Sequence, residues 1–93
     1  MFSWDTKKAI SNYDKHGVSL EEGVTIFSDP EGLDWEDLQH SIFEKRRKRL
    51  GMSKAGSILL VVYTIRRLSD GKETTRIISA RQASRHERKV YAG

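Results

Sequence analysis

Apolar and polar residues alternate in Phe2-Ser3-Trp4, which is the period of a short first strand. Asp5 then stands as the N-cap of a helix over about residues 6–15. Ala9, Ile10 and Tyr13 form the apolar stripe of that helix, and Gly17 supplies its C-terminal stop. Ser19-Leu20-Glu21-Glu22 has the spacing of a capping box, with Ser19 capping a second helix and Glu22 reaching back. Leu20, Val24 and Phe27 share one face of this helix, which ends before Pro30. Gly23 inside it costs about 1 kcal/mol relative to Ala.

The second half of the chain has a period near two. Leu33 and Trp35 alternate with acidic residues and predict a strand near 32–36, followed by an exposed loop around His40. Lys45-Arg46-Arg47-Lys48-Arg49-Leu50 is compatible with a helix, but it stops at Gly51 directly before the next strand, so a hairpin strand is favoured. Ser53-Lys54-Ala55-Gly56 is its turn. Ile58 to Thr64 is a central strand, apolar on both faces. Asp70-Gly71 marks a turn, Thr74 to Ser79 the last strand, and Ser84-Arg85-His86-Glu87 a second capping box that opens a short C-terminal helix. The predicted order is β-α-α-β-β-β-β-α. Helices segregated from a largely antiparallel sheet define an α+β domain. The 93 residues are expected to form one domain, 1–93, without repeat or linker.

Composition narrows the function classes. Cysteine is absent, so neither a disulfide nor a thiolate metal site can contribute, which suits a reducing compartment. No apolar run approaches the ~20 residues of a membrane span, and the opening residues lack the pattern of a signal peptide. A cytoplasmic protein that does not engage membranes is expected. Charge adds more. Residues 1–44 hold three Lys and ten Asp or Glu, a net −7; residues 45–93 hold fourteen Lys or Arg and three Asp or Glu, a net +11. A polyanion is the natural partner of such a cationic half, although a solvated charged surface has the same composition.

The chain has no phosphate-cradling glycine loop and no nucleophile elbow. His16, His40 and His86 lack metal-ligand spacing, and the acidic run from Asp29 to Asp37 lacks the order of a calcium loop. No metal and no cofactor is expected. Arginines remain, with a few groups able to move protons. RNA carries its own nucleophile, the 2′-hydroxyl, so a protein that cleaves it need only hold the phosphate, offset its developing charge and shuttle protons. Arginine's planar fork suits the first two tasks. Arg66 leaves the end of the central strand, Arg76 shares a face with Thr74 and Ile78, and Arg81 follows the last strand at the sheet edge. Arg85 and Arg88 share a face of the last helix, with Lys89 beside them. The basic run 45–49 can be read as a nuclear localisation signal, as charge that protects an edge strand, or as one wall of an RNA groove. Its strand context argues against the first. His40 and Glu44 lie just upstream as candidate acid and base.

Several of these pieces, in this order, resemble the BrnT family of bacterial toxins. They are Phe2-Ser3-Trp4-Asp5-Thr6-Lys7-Lys8; Asn12 with Lys15-His16-Gly17-Val18-Ser19-Leu20-Glu21-Glu22; Phe27-Ser28-Asp29-Pro30; His40-Ser41; and Glu44-Lys45-Arg46 ahead of Gly51. Leu60-Val61-Val62-Tyr63-Thr64-Ile65-Arg66 follows, then Arg76-Ile77-Ile78-Ser79-Ala80-Arg81 with Ala83, Glu87, Arg88 and Tyr91. Arg47 stands where the family pattern has an aromatic residue, and Gly23 where it has Ala. The resemblance implies a ribonuclease toxin with a RelE-like fold, a curved antiparallel sheet with helices against it; that its RNA cleavage needs no metal is expected from the lack of a ligand cluster. The resemblance also implies a BrnA-like antitoxin with a ribbon-helix-helix end, through which alone operator DNA would be reached. Arg81, Arg46, Arg66, His40 and Glu44 are then the expected catalytic residues, and Arg76, Arg85, Arg88 and Lys89 the expected RNA contacts. The alternative is a non-catalytic adaptor that binds nucleic acid or an acidic protein segment through the same surface.

Overall fold

In a computed structural model that describes all residues from Met1 to Gly93, the chain forms one open five-stranded sheet with three α-helices. The elements are β1 (Phe2–Ser3), α1 (Thr6–His16), α2 (Leu20–Thr25), β2 (Leu33–Glu36), β3 (Arg47–Met52), β4 (Ile58–Arg67), β5 (Glu73–Gln82) and α3 (Arg85–Ala92). Short 3-10 turns at Ile26–Ser28 and Leu38–His40 complete them. The strand order is β1-β5-β4-β3-β2, and only the β1–β5 pair is parallel. The expected order of elements and the α+β class are borne out, and the hairpin strand expected from Lys45 to Leu50 runs from Arg47 to Met52, with Lys45 and Arg46 just before it. No helix is long and apolar enough to cross a membrane.

The two faces of the sheet differ. One packs against α1 and α2 through Leu59, Val61, Tyr63, Ile77 and Ala80, which meet Val18, Leu20 and Ile26 in the main core. The other carries a smaller cluster at one end, where Leu50, Leu60 and Ala83 lie under Tyr91 of α3. Beyond that cluster the second face is open and polar.

Four local expectations need correction. The buried residue of α1 is Asn12, while Ile10 and Tyr13 are 60% and 58% exposed. β1 pairs only with Thr75 and Arg76, so the outer edge of β5 is unpaired beyond them. The Asn12 carboxamide fills that edge: its Oδ1 accepts from Ala80 N, and its Nδ2 donates to the carbonyls of Ala80 and Val18. A polar side chain thus stands in for a missing strand and satisfies buried backbone groups. Second, Glu22 does not close a capping box. Ser19 caps α2, but the Glu22 carboxylate accepts from Ser53 Oγ at 2.8 Å. Third, Gly23 is more than a weak helix former. A Cβ there would lie 3.0 Å from the Cβ of Ala80 and 3.3 Å from Val61 Cγ2, so glycine permits the close approach of α2 to the sheet. Fourth, β5 runs on to Gln82, so Arg81 belongs to the strand rather than following it.

One irregularity in β5 shapes the open face. Val62 pairs with Ser79 and Tyr63 with Ile77, so Ile78 is an extra residue on β5. Regular alternation would put Arg76 and Arg81, five residues apart, on opposite faces. The bulge resets the alternation and brings both to the open face, opposite Thr64 and Leu60 respectively.

Candidate functional site

The open face holds adjoining shallow depressions. One, of about 220 Å³, is lined by Asp37, His40, Arg46, Lys48, Ser79 and Arg81 among others. A second, of about 360 Å³, is lined by His40, Glu44, Arg46 and Arg66, with Gln39, Ile42 and Phe43 at its rim. A third, narrower one joins Glu44, Arg46 and Arg66 to Arg76, Asp5 and Lys8. All five expected catalytic residues therefore gather on one surface, with Arg46 common to the three depressions. Of the expected RNA contacts, Arg76 joins them. Arg85, Arg88 and Lys89 are exposed on α3 and line none of the three.

The strand ladder explains the placement. Lys48 lies opposite Val62 and Arg81 opposite Leu60, and the residue before β3, Arg46, bonds the backbone of Asp37. Ser41 Oγ accepts from Arg46 N at 3.0 Å and donates to Asp37 O at 2.6 Å, which closes the 37–46 loop over the sheet. Within it, Asp37 is 7% exposed and its Oδ2 lies 2.9 Å from His40 Nδ1. A carboxylate on Nδ1 fixes the imidazole and leaves Nε2 for proton transfer. Sequence reasoning missed Asp37, which it took only as the end of an acidic run without the order of a calcium loop.

Ion pairing sorts the arginines. Lys45, Arg47, Arg49 and Arg66 of the cationic half pair with carboxylates of the acidic half once folded. Arg47 donates to Asp34 at 2.7 Å, and Arg49 lies 3.5 Å from the same carboxylate. Both sit on the helix-bearing face, where Tyr63 also donates to Asp34. The bond from Asp34, with its charge, holds the Arg47 guanidinium above its ordinary pKa. Burial first, then Asp34, pushes the Tyr63 phenol up. Arg47 thus serves the back of the sheet, away from the depressions. Arg66 is held by Glu44 through bonds of 3.2–3.4 Å. Arg46, Lys48 and Arg76 have no carboxylate partner. They are the uncompensated charges of this face.

Arg81 is held from the other side. Its Nη1 and Nη2 donate to Glu87 at 2.8 and 3.0 Å, and Nη1 also reaches Gln82 O. Glu87 accepts as well from Ser84 N, which completes the capping box of α3. A second tether runs from Tyr91 Oη to Asp29 Oδ2 at 2.5 Å. That bond, ahead of one from Met52 N, holds the Asp29 carboxyl below its usual range.

The Arg81 guanidinium, ahead of the Ser84 contacts, pulls the Glu87 pKa from 4.5 down to about 2. A depressed carboxylate contributes stability above its unfolded pKa and loses it as pH falls through the folded value. Solvent screening of the partly exposed pair limits the benefit to about 1 kcal/mol. Glu87→Gln is therefore expected to be less stable than the parent by about that amount at neutral pH. The gap should close as pH falls from about 4.5 to about 2. Urea unfolding at a series of pH values measures it, and a gap independent of pH would remove the ion pair from the account.

No three His, Asp or Glu side chains converge to hold a metal ion. What converges is a set of arginines, able to bind a phosphate, beside a carboxylate-oriented imidazole, able to move a proton.

The family model described as the ribonuclease toxin BrnT of type II toxin–antitoxin systems matches residues 4–87. Among solved structures, the chain is similar to the Brucella abortus ribonuclease toxin BrnT, a crystal structure at 1.1 Å resolution. The TM-score is 0.65 at 21% identity, over 90% of this chain and 96% of that one, which establishes a shared fold. No curated protein matches the sequence.

Proposed function

The chain belongs to the BrnT family of ribonuclease toxins of type II toxin–antitoxin systems, and from that premise we propose that it cuts RNA without a metal ion, in the depressions around Arg46. The observation that carries this reading is the buried Asp37 on His40 Nδ1, beside Arg46 and Arg81 in one depression.

In this mechanism the 2′-oxygen of RNA bonds to its neighbouring phosphorus and the bond from phosphorus to the 5′-oxygen breaks. The 2′-hydroxyl proton passes to a base, and the departing 5′-oxygen receives one from an acid. His40 and Glu44 share these transfers. Arg46, Arg66 and Arg81 stabilise the charge that builds on the phosphate oxygens. Glu44 also orients Arg66 through their paired bonds. Arg76 extends the phosphate track along the sheet, and Arg85, Arg88 and Lys89 extend it along α3. The domain, residues 1–93, acts in the cytoplasm. Its inhibitor is a BrnA-like antitoxin with a ribbon-helix-helix end, and the pair represses its own operon through that end.

Purified protein incubated with RNA in EDTA tests the mechanism. Cleavage is expected to persist at an undiminished rate and to leave 2′,3′-cyclic phosphate ends. Loss of cleavage on chelation, restored by magnesium, would refute metal independence. Binding without cleavage under every condition would favour the adaptor.

A further inference from the structure

The loop that carries His40 also leaves large apolar side chains in water. Leu38, Ile42 and Phe43 are 78%, 80% and 99% exposed, although a core of Leu, Ile and Val lies within the same small domain. Apolar side chains are seldom left so open in a cluster unless something covers them. Two of them, Ile42 and Phe43, rim the depression that contains Glu44, Arg46 and Arg66. Phe43 directly precedes Glu44, whose carboxylate anchors Arg66.

We infer that Phe43 is the nucleobase platform of the site: it stacks on a base of single-stranded RNA next to the phosphate held by Arg46 and Arg66, and so sets where the strand is cut. The inference rests on the ribonuclease reading above and specifies its substrate as unpaired RNA. Three observations support this occupant. The aromatic ring is continuous with the phosphate-binding depression, so one nucleotide can engage both. Arg46 lacks a carboxylate partner, which leaves positive charge beside the ring for a polyanion. A flat, fully open ring offers a base its whole face, and stacking of this kind tolerates any base while requiring that it be unpaired. Arg47 takes no part in this surface, because it lies on the opposite face bound to Asp34.

The test uses a short single-stranded 2′-O-methyl RNA, which cannot be cleaved, with the full chain. Phe43→Ala is expected to bind it about 5- to 150-fold more weakly, the range contributed by one base–aromatic stack. Phe43→Trp should restore binding. The salt dependence of affinity should be unchanged, since no phosphate contact is lost. Moving a single abasic site along the oligonucleotide should find one position that weakens the parent but not Phe43→Ala. Equal binding by the parent and Phe43→Ala, with no such position, would overturn the inference. So would unchanged RNA binding with weakened capture of the antitoxin, which would make the loop a protein-docking element. Arg46→Ala separates this from the underlying reading: if it abolishes binding while Phe43→Ala does not, the phosphate site stands and only the platform falls. If the parent itself does not bind the oligonucleotide, both fall.

Discussion

Alanine at Arg46 or at Arg81 is expected to lower RNA cleavage by about 10²–10³-fold, the usual cost of removing one preorganised donor that stabilises developing charge. The two variants should differ in everything else. Arg46 makes no side-chain hydrogen bond or ion pair in the folded chain, so its removal leaves the rest of the protein intact and should not lower the unfolding midpoint. Arg81 is shared between the depression and α3. Its Nη1 protons are spent on Glu87 and Gln82, which leaves Nε and one proton of Nη2 for a phosphate. Arg81→Ala should therefore also loosen the C-terminal helix and lower stability by about 1 kcal/mol, as for a partly exposed pair. Arg81→Lys would keep charge but lose the planar fork, and should recover little activity. Single-turnover cleavage and thermal unfolding, run on the same preparations, read both effects. Full activity in a folded Arg46→Ala or Arg81→Ala protein would remove that arginine from the site.

How much of this was legible in the sequence depends on the range of the interaction. Local signals read well. Ser84 and Glu87 form the capping box they spell, Asp5 caps α1, and Gly17 takes the left-handed conformation at φ 68°. The order of elements followed from period and turn residues. Long-range matters did not. Nothing in the spacing of Arg76 and Arg81 announces a bulge at Ile78, because the extra residue is set by pairing with β4. Period two alone would have divided these arginines between the faces. The role of Asn12 depends on an edge 68 residues away, and the stripe of Ile10 and Tyr13 suggested a burial that the polar side chain took instead. Glu22 had two partners within reach of its chemistry, and Ser53, distant in sequence, won.

The charge halves teach the same lesson. Read linearly, the molecule is an acidic lobe followed by a basic one. Folded, β2 lies against β3, so Asp34 meets Arg47 and Arg49, and Glu36 approaches Lys45. Glu44 likewise takes Arg66. Pairing thus removes part of the second half's charge, and the cations left without a carboxylate include Arg46, Lys48 and Arg76 on the open face and Arg85, Arg88 and Lys89 on α3.

Those residues bear on the second large effect expected, which is inhibition by the partner. A ribonuclease free in the cell that makes it would destroy its own RNA, and the family to which this chain belongs comprises toxins of two-component systems. The inhibitor must either neutralise the depressions or block them. Arg46, Lys48 and Arg76 on the sheet, with Arg85, Arg88 and Lys89 on α3, offer a cationic track without internal partners. A protein segment rich in Asp and Glu laid along it would do both, and long-range attraction would speed its capture. Arginines buried in the centre of such an interface would anchor it. The reading frame beside this one is expected to encode a short protein with a ribbon-helix-helix pattern. Co-expression should restore growth and co-purify both chains, and adding that protein to the enzyme should stop RNA cleavage completely. The rate of association should fall as salt rises, whereas a purely apolar interface would leave it flat. Charge reversal at Arg46 and Arg76 together should slow association, and at high salt it should differ little from the parent. Harmless expression of this chain alone, with no such neighbour, would count against inhibition by a partner and in favour of a domain that binds its polyanion without cutting it.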